Sequence, residues 1–224
     1  MRVLVACEES QTVTKAFRKL GHEAFSCDLL PCSGGHPEWH YQQDIFEVID
    51  KGWDLMIAHP PCTFLTVSGV AWLSHPDDRD LPFEDRRPHP KYPNRRNDML
   101  DSVEFVKALY NSPIEKVVIE NPIGLLSTKW RKPDQIIQPW QFGDEATKTT
   151  CLWLKNISPL LHTKIVGKGE RFEWIDGKTG RKKSQPMWYY QALVKAKTKQ
   201  ERQTLRSKTF QGIADAMANQ WGTL

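Results

Sequence analysis

Two short segments of this chain place reactive side chains directly after apolar runs. Residues 53–58 are predicted to form a buried strand, and His59-Pro60-Pro61-Cys62 follows at once. Two prolines fix φ and remove two backbone donors, so the strand has to end there. A thiol at that point lies where open α/β sheets bind their ligands, which makes Cys62 a candidate nucleophile.

A carboxylate and an amide occupy the equivalent place after a second apolar run. Residues 116–119 are predicted to form another buried strand, and Glu120-Asn121-Pro122 follows it. Each group has an ordinary alternative, since Cys62 could be a buried structural thiol and Glu120 a capping or ion-paired acid. In a parallel sheet both strands end at the same edge, and we therefore expect the thiol and the carboxyl to share one crevice.

Alternating strand and helix signals predict the sheet that would position these groups. Further strands are expected at 3–7 and 23–27, and helices at 12–20, 45–50 and 98–110. This rhythm predicts an α/β fold with a mostly parallel sheet and helices on both faces. Near the C-terminus, a basic helical segment at 195–208 precedes an apolar stripe at helical spacing from Phe210 to Trp221.

Two polar segments interrupt the alternation. Residues 73–97 hold five prolines and a basic second half, and residues 161–183 hold turn signals before a basic cluster. Either segment could be a solvated loop or a phosphate-binding surface. We expect a single domain over 1–224, with an inserted loop at 73–97 and a small polar hairpin at 161–183.

Composition narrows the class of protein. The chain has 224 residues, 39% of them hydrophobic and 26% charged, as in soluble globular proteins, and it has no apolar run near membrane-spanning length. Five cysteines, an odd number, argue against a disulfide framework and for a reducing compartment. We therefore expect a cytoplasmic protein, and the net charge of +4 permits a polyanionic partner.

A metal site is a rival interpretation of one loop. Cys27, Cys32, His36 and His40 have a spacing that resembles a structural zinc arrangement. Against it, Cys27 ends a predicted strand and would point into the core. The favoured interpretation is a polar loop without a metal.

The two proline-flanked motifs, in this order, resemble those of the DNA cytosine-5 methyltransferases, and the chain looks like a compact member of phage or bacterial type. The resemblance implies a Rossmann-like, S-adenosylmethionine-dependent methyltransferase fold. It implies methyl transfer to C5 of cytosine in DNA through a covalent bond between Cys62 and C6 of the base. Glu120 would protonate N3, which needs a raised pKa or a shared proton, and Asn121 would orient both groups.

The resemblance also implies which residues hold the cofactor and the DNA. Candidates for S-adenosylmethionine are Cys7, Glu8, Ser10, Asp28, Leu29, Asp44, Ile45, His59 and Pro60. Candidates for the nucleic acid are Arg86, Arg87, Arg95, Arg96, Lys148, Arg181, Lys182 and Lys183. The chain departs from the family in a first loop, residues 6–11, without glycine, in Thr63 after the nucleophile, and in the small space left for target recognition.

Three other functions stay open at this point. The same chemistry could act on a free pyrimidine nucleotide, because so little of the chain is left for recognition. Methyl transfer to an exocyclic amine also uses a strand that ends in Pro-Pro, although an aromatic residue would be expected in place of Cys62. A non-catalytic nucleic-acid-binding module is the third, and we expect a monomer or weak homodimer in each case.

Overall fold

The computed structural model describes residues 1–223. Its strands are β1 (Arg2–Ala6), β2 (Glu23–Asp28), β3 (His40–Gln42), β4 (Leu55–Ala58), β5 (Lys116–Pro122), β6 (Gln135–Ile137), β7 (Thr150–Lys155), β8 (Arg171–Ile175) and β9 (Lys182–Pro186). Its helices are α1 (Thr12–Lys19), α2 (Val67–Val70), α3 (Arg95–Tyr110), α4 (Leu126–Lys129), α5 (Met187–Lys195), α6 (Lys199–Ser207) and α7 (Gln211–Trp221).

Seven strands form one sheet in the order β3-β2-β1-β4-β5-β7-β6. The first five strands in this order are parallel, whereas β7 runs antiparallel to both of its neighbours. The strand order reverses between β1 and β4, and a crevice is expected at the carboxyl ends of these two strands. The prediction of an α/β, Rossmann-like fold with a mostly parallel sheet is confirmed.

Helices cover both faces of this sheet. On one face, Met99 and Val103 of α3 pack in a cluster with Leu4 and Met56. On the other face, α1 and α7 pack in a second cluster that includes Phe17, Met217, Val3 and Leu55. Residues of both β1 and β4 therefore face both clusters, which explains why their sequences are continuous apolar runs rather than alternating ones.

Several boundaries differ from those expected from the sequence. The strand expected at 3–7 ends at Ala6, because Cys7 has a φ of 58° and leaves the extended region. The helix expected at 45–50 is a short 3-10 turn at Ile45–Glu47. The basic helix expected at 195–208 begins later, as α6 at Lys199, because α5 ends at Lys195 and Thr198 caps α6 by accepting a hydrogen bond from the Glu201 backbone nitrogen at 3.0 Å.

Outside the main sheet, β8 and β9 form an antiparallel hairpin between the late strands and α5. The proposal that this hairpin stands in place of a recognition domain, within a single domain, stays a prediction. No helix in residues 1–223 combines the length and the apolarity needed to cross a membrane.

Candidate active site

The two motifs meet at the carboxyl edge of the sheet. Strands β4 and β5 are parallel neighbours, with Ala58 opposite Ile119, so the residues that follow them lie side by side. Nδ1 of His59 is 3.0 Å from Oε2 of Glu120, and the two side chains are only 12% and 13% exposed. This contact puts a carboxylate beside the segment that carries the candidate nucleophile.

A second bond fixes the backbone that leads to the thiol. Nδ2 of Asn121 donates a hydrogen bond of 2.8 Å to the carbonyl of Pro60, and the Asn121 side chain is buried. Beyond it, the Cys62 carbonyl accepts from the backbone nitrogens of Leu65 at 3.0 Å and Thr66 at 3.1 Å. Cys62 is therefore held, half-buried, at the start of a hydrogen-bonded turn.

A glycine allows the two motif loops to touch. The backbone nitrogen of Leu125 donates to the Leu65 carbonyl at 2.7 Å. A Cβ atom on Gly124 would overlap that same carbonyl oxygen. Any larger residue at 124 would therefore push the nucleophile loop away from the loop that follows Glu120.

The charges around the thiol act in opposite directions. Burial, and after it the negative charge of Glu120, raises the pKa of the Cys62 thiol above its ordinary value. The positive charges of Lys148 and Arg206 partly offset this rise. In the protein alone, the thiol form is thus favoured over the thiolate.

The carboxyl of Glu120 is shifted the other way. Burial raises its pKa, but the hydrogen bond and charge of His59, together with the charge of Lys148, outweigh burial and leave the pKa of Glu120 below its usual value. The sequence-based expectation of a protonated Glu120 required a raised pKa or a shared proton. The structure does not give the raised pKa, and it provides His59 as a partner for a shared proton.

Lys148 is placed beside Glu120 rather than on a distant surface. Its Nζ donates to the carbonyls of Ser207 at 3.1 Å and Lys208 at 3.0 Å, which ties it to the end of α6. Lys148 and Glu120 line a small cavity together with Thr150, Thr209, Phe210 and Ile213. Lys148 thus joins the carboxylate to the C-terminal helices.

Arg206 is a site residue that the sequence did not single out. It lies on α6, and its guanidinium stacks over the ring of Tyr189 at 3.9 Å. The only signal was the basic composition of the segment 195–208, which does not say which cation faces the thiol. A larger groove, lined by residues of α5 and α6, shares Thr209 and Phe210 with the cavity at Glu120.

The predicted cofactor residues gather at the ends of the first three strands. Burial, and then the charges of Asp28, Cys27 and Asp44, raises the pKa of the Cys7 thiol, so these groups lie within electrostatic reach of one another. Asp28 is half-buried, while Asp44 and Leu29 are exposed. The carboxylates of Asp28 and Asp44 also cap local turns. Asp28 accepts a hydrogen bond from the Leu30 nitrogen at 2.8 Å, and Asp44 accepts one from the Phe46 nitrogen at 2.9 Å.

The glycine-free first loop adopts conformations that glycine usually provides. Cys7 and Gln11 have φ values of 58° and 56°, a region that costs an ordinary residue about 1–2 kcal/mol. The Gln11 side chain compensates by bonding the backbone of His36 twice, to its carbonyl at 2.8 Å and from its nitrogen at 3.1 Å. A Cβ atom on Gly34 would clash with Gln11 and with the Ser10 carbonyl, so the loop of residues 30–36 packs directly on the first loop.

Two predicted cofactor residues direct their side chains into the protein. The Glu8 carboxylate accepts from the backbone nitrogens of Val13 at 2.7 Å and Thr14 at 3.2 Å, and so caps α1. The Ile45 side chain is buried in the core. Only the backbones of these two residues are left for a ligand.

Ser10, another predicted cofactor residue, has its hydroxyl 3.3 Å from that of Thr12.

Most of the basic residues of the inserted loop bind the protein itself. Arg86 donates to the carbonyls of Leu81 and Arg79, and Arg96 donates to those of Leu73 and Arg86. Such bonds satisfy the backbone of a segment that has little regular structure.

The other predicted phosphate contacts are also engaged in part. Arg87 pairs with Asp78 at 2.6 Å, and Arg95 donates to the carbonyl of Thr63 at 3.0 Å, beside the nucleophile. On the hairpin, Lys182 pairs with Glu173 at 2.7 Å, Lys183 pairs with Asp176 at 2.5 Å, and Arg181 is exposed. Their contacts with a nucleic acid stay predictions.

The possible zinc ligands do not converge. Cys27 donates to the Gln43 carbonyl and Cys32 to the Gln11 side chain, while His36 stacks on Trp39 with ring centroids 3.8 Å apart. The two ring nitrogens of His40 lie near the Ser26 hydroxyl at 2.8 Å and the Leu30 carbonyl at 2.9 Å. Across residues 1–223, no three side chains of Cys, His, Asp or Glu are grouped in a way that could hold a metal ion.

Comparisons with known proteins give structural similarities but no match to a family model or a curated protein. Among solved structures, the chain is similar to a protein of E. coli described as a candidate DNA modification methyltransferase encoded within a prophage, with a TM-score of 0.43 and 13% identity. The match covers 75% of this chain and 52% of the other, so this chain spans about half of that protein's length.

Proposed function

We propose that the protein transfers a methyl group from S-adenosylmethionine to C5 of cytosine in DNA. The observation that supports this proposal is the pairing of Cys62 with Glu120 and Asn121 at the ends of β4 and β5. A thiol and an acid in one crevice can act on two positions of a single pyrimidine ring. A carboxylate beside a nucleophilic cysteine would have no such use in a purely structural site.

The chain's own residues account for activation of the base. Cys62 first loses its thiol proton to solvent. The thiolate then adds to C6, and the S–C6 bond forms while the electrons of the C5–C6 double bond move toward N3. Glu120 delivers a proton to N3, which neutralises the charge that would otherwise develop there. C5 then has the electron density of an enamine. Once C5 is substituted, its proton passes to solvent, the C5–C6 double bond re-forms, and the S–C6 bond breaks to return Cys62 as a thiolate.

The residues at the ends of β2 and β3 fit the proposed cofactor. Asp28 and Asp44 provide carboxylates at the crevice, and acids suit the ribose hydroxyls and the amino group of S-adenosylmethionine. The exposed Leu29 adds an apolar surface beside them. When bound, this cofactor supplies the electrophilic methyl group.

Positive charge near the thiol supports a nucleic-acid substrate. Lys148 and Arg206 act on Cys62, and the hairpin carries a basic cluster at 181–183. Phosphates would replace counterions at such positions, so binding should weaken steeply with salt. A cytosine in a duplex has to leave the base stack before a half-buried thiol can reach C6.

Methylation with labelled cofactor tests the proposal directly. The protein is incubated with labelled S-adenosylmethionine and duplex DNA, single-stranded DNA or dCMP, and the nucleosides are then analysed. We expect label in 5-methylcytosine from DNA. Label only in methylated dCMP would support a free nucleotide as the substrate, and label in N4-methylcytosine or N6-methyladenine would indicate transfer to an exocyclic amine. Absence of label from every substrate would favour a non-catalytic binding module.

A covalent trap tests the nucleophile. In the presence of S-adenosylmethionine, duplex DNA that contains 5-fluorocytosine should form a stable adduct with the protein, since after methyl transfer fluorine cannot leave C5 as a proton does. The adduct should be absent in Cys62→Ser and present in Cys32→Ser, a matched change at another half-buried thiol. An adduct that survives in Cys62→Ser would rule out the assignment.

A further inference from the structure

We propose that His59 is a positioning residue that holds, in a pair with Glu120, the proton that Glu120 passes to the base. This inference rests on the proposed function and deepens it. The contact of 3.0 Å between Nδ1 and Oε2 joins two side chains that are almost fully excluded from solvent. The His59 backbone nitrogen also donates to the Ala6 carbonyl at 2.9 Å, which fixes the residue beside β1.

The second ring nitrogen distinguishes this pair from a purely structural hydrogen bond. Nε2 of His59 is buried and has no hydrogen-bond partner within residues 1–223. A buried polar atom without a partner costs about 1–3 kcal/mol. If His59 only oriented Glu120, we would expect Nε2 to have a hydrogen-bond partner that fixed the ring in one protonation state. Without such a partner, Nε2 can be either protonated or unprotonated, as a proton-transfer role requires.

The surrounding charges allow the pair to carry one proton. With Nδ1 protonated toward Glu120, the imidazole can exist as the neutral ring or, with Nε2 also protonated, as a cation opposite the carboxylate. The titratable and charged groups that act on Glu120 or the thiol from neighbouring elements are Cys62 after β4, Lys148 before β7, Cys151 on β7 and Arg206 on α6. The raised pKa values of the two cysteines keep them neutral, so Lys148 and Arg206 are the charged members of this group.

The proton balance of the addition step then closes within the site. As the S–C6 bond forms, the Nδ1 proton of the imidazolium passes through the Glu120 carboxylate to N3 of the base. The imidazolium becomes a neutral imidazole, and no outside acid is consumed. When the S–C6 bond breaks, N3 returns its proton through Glu120 to His59.

The pH dependence of methylation separates this role from a structural one. His59→Asn keeps an N–H donor near the position of Nδ1 but cannot accept a further proton. We expect its rate on duplex DNA to be about 10²-fold below the wild-type rate at pH 7.5, the lower range for loss of a general acid. The deficit should shrink as the pH is lowered, because Glu120 then becomes protonated directly. His22→Asn, at the opposite edge of the sheet before β2, serves as the matched control and should follow the wild-type profile.

A constant ratio of wild-type to His59→Asn rates over the whole pH range would overturn the inference, as would a rate unchanged by the substitution. The wild-type rate itself reports on the proposed function, so a failure of the proposed function can be told apart from a failure of this inference.

A measurement without substrate covers the case in which no methylation is seen. In ¹⁵N and ¹³C NMR, the imidazole of His59 and the carboxyl of Glu120 should each respond to both titration steps, as coupled sites do. Independent single steps would show that no proton is shared.

Discussion

Removal of the hydrogen bond from Asn121 to the Pro60 carbonyl tests how the nucleophile is positioned. Asn121→Ala removes the only side-chain donor recorded for the Pro60 carbonyl in residues 1–223, at a site where Asn121 is 2% exposed. A buried acceptor left without a partner costs about 1–3 kcal/mol. We therefore expect a loss of about 2 kcal/mol in the free energy of unfolding, or about 4–8 °C in Tm for a chain of this size.

The same change should reduce catalysis more than it reduces folding. Pro60 precedes Cys62 by two residues, and a displacement of about 1 Å in a reacting group can cost about 10²-fold in rate. The measurements are urea unfolding followed by tryptophan fluorescence, and formation of the 5-fluorocytosine adduct at a temperature where both proteins are folded. Asn121→Asp keeps the volume but replaces the N–H₂ donor by oxygen, so it should be about as harmful as alanine.

Asn219 supplies the matched control. Its Nδ2 donates to the Asp215 carbonyl at the same distance, 2.8 Å, but on the exposed surface of α7. Water can replace that bond, so Asn219→Ala should cost less than about 0.5 kcal/mol. If Asn121→Ala is no more destabilising than Asn219→Ala, the buried bond does not stabilise the protein.

Two further predictions concern packing and charge at the site. Gly124→Ala should destabilise the protein by about 1–3 kcal/mol through overpacking, as measured by urea denaturation. Gly177→Ala is the control, and it should be nearly neutral because the space around its Cβ position is open. Equal effects of the two changes would contradict the close approach of the two loops. Because the Glu120 charge raises the pKa of Cys62 and the Lys148 charge lowers it, alkylation of Cys62 by iodoacetamide should begin at lower pH in Glu120→Gln and at higher pH in Lys148→Met. A shift in the same direction for both variants would show that these charges do not control the thiol.

The part of the fold that carries the motifs was predictable because its causes are local. Two prolines after residues 53–58 end β4 whatever the rest of the chain does, and the apolar runs of parallel strands require cover on both faces. The contact between His59 and Glu120 was not predicted, because it depends on the relative register of β4 and β5. Strands β3 and β6, of three residues each, are too short to give a periodic signal.

Other side chains were beyond sequence reasoning because tertiary contacts decide where they point. Glu8 lies in the first loop as expected, but its carboxylate is drawn to the free N–H groups at the start of α1. Arg206 acts electrostatically on the thiol from α6, and Lys148 binds the carbonyls at the end of that helix. The position of Arg206 has no signature in residue spacing, since α6 and the segment that carries Cys62 are far apart in the sequence. The Glu8 contact is local, but the spacing alone does not say whether the carboxylate binds the helix or a ligand.

The carboxylate beside Cys62 has a consequence for the durability of the protein. Peroxides and other oxidants attack thiolates far more readily than thiols. Since burial and the charge of Glu120 keep the pKa of Cys62 raised, the resting protein presents the less reactive form to them. Protonation of Glu120 removes the charge that protects the sulfur. Burial, the larger of the two causes, remains. The event that prepares the site for a substrate therefore lowers the resistance of the thiol to oxidative damage without abolishing it.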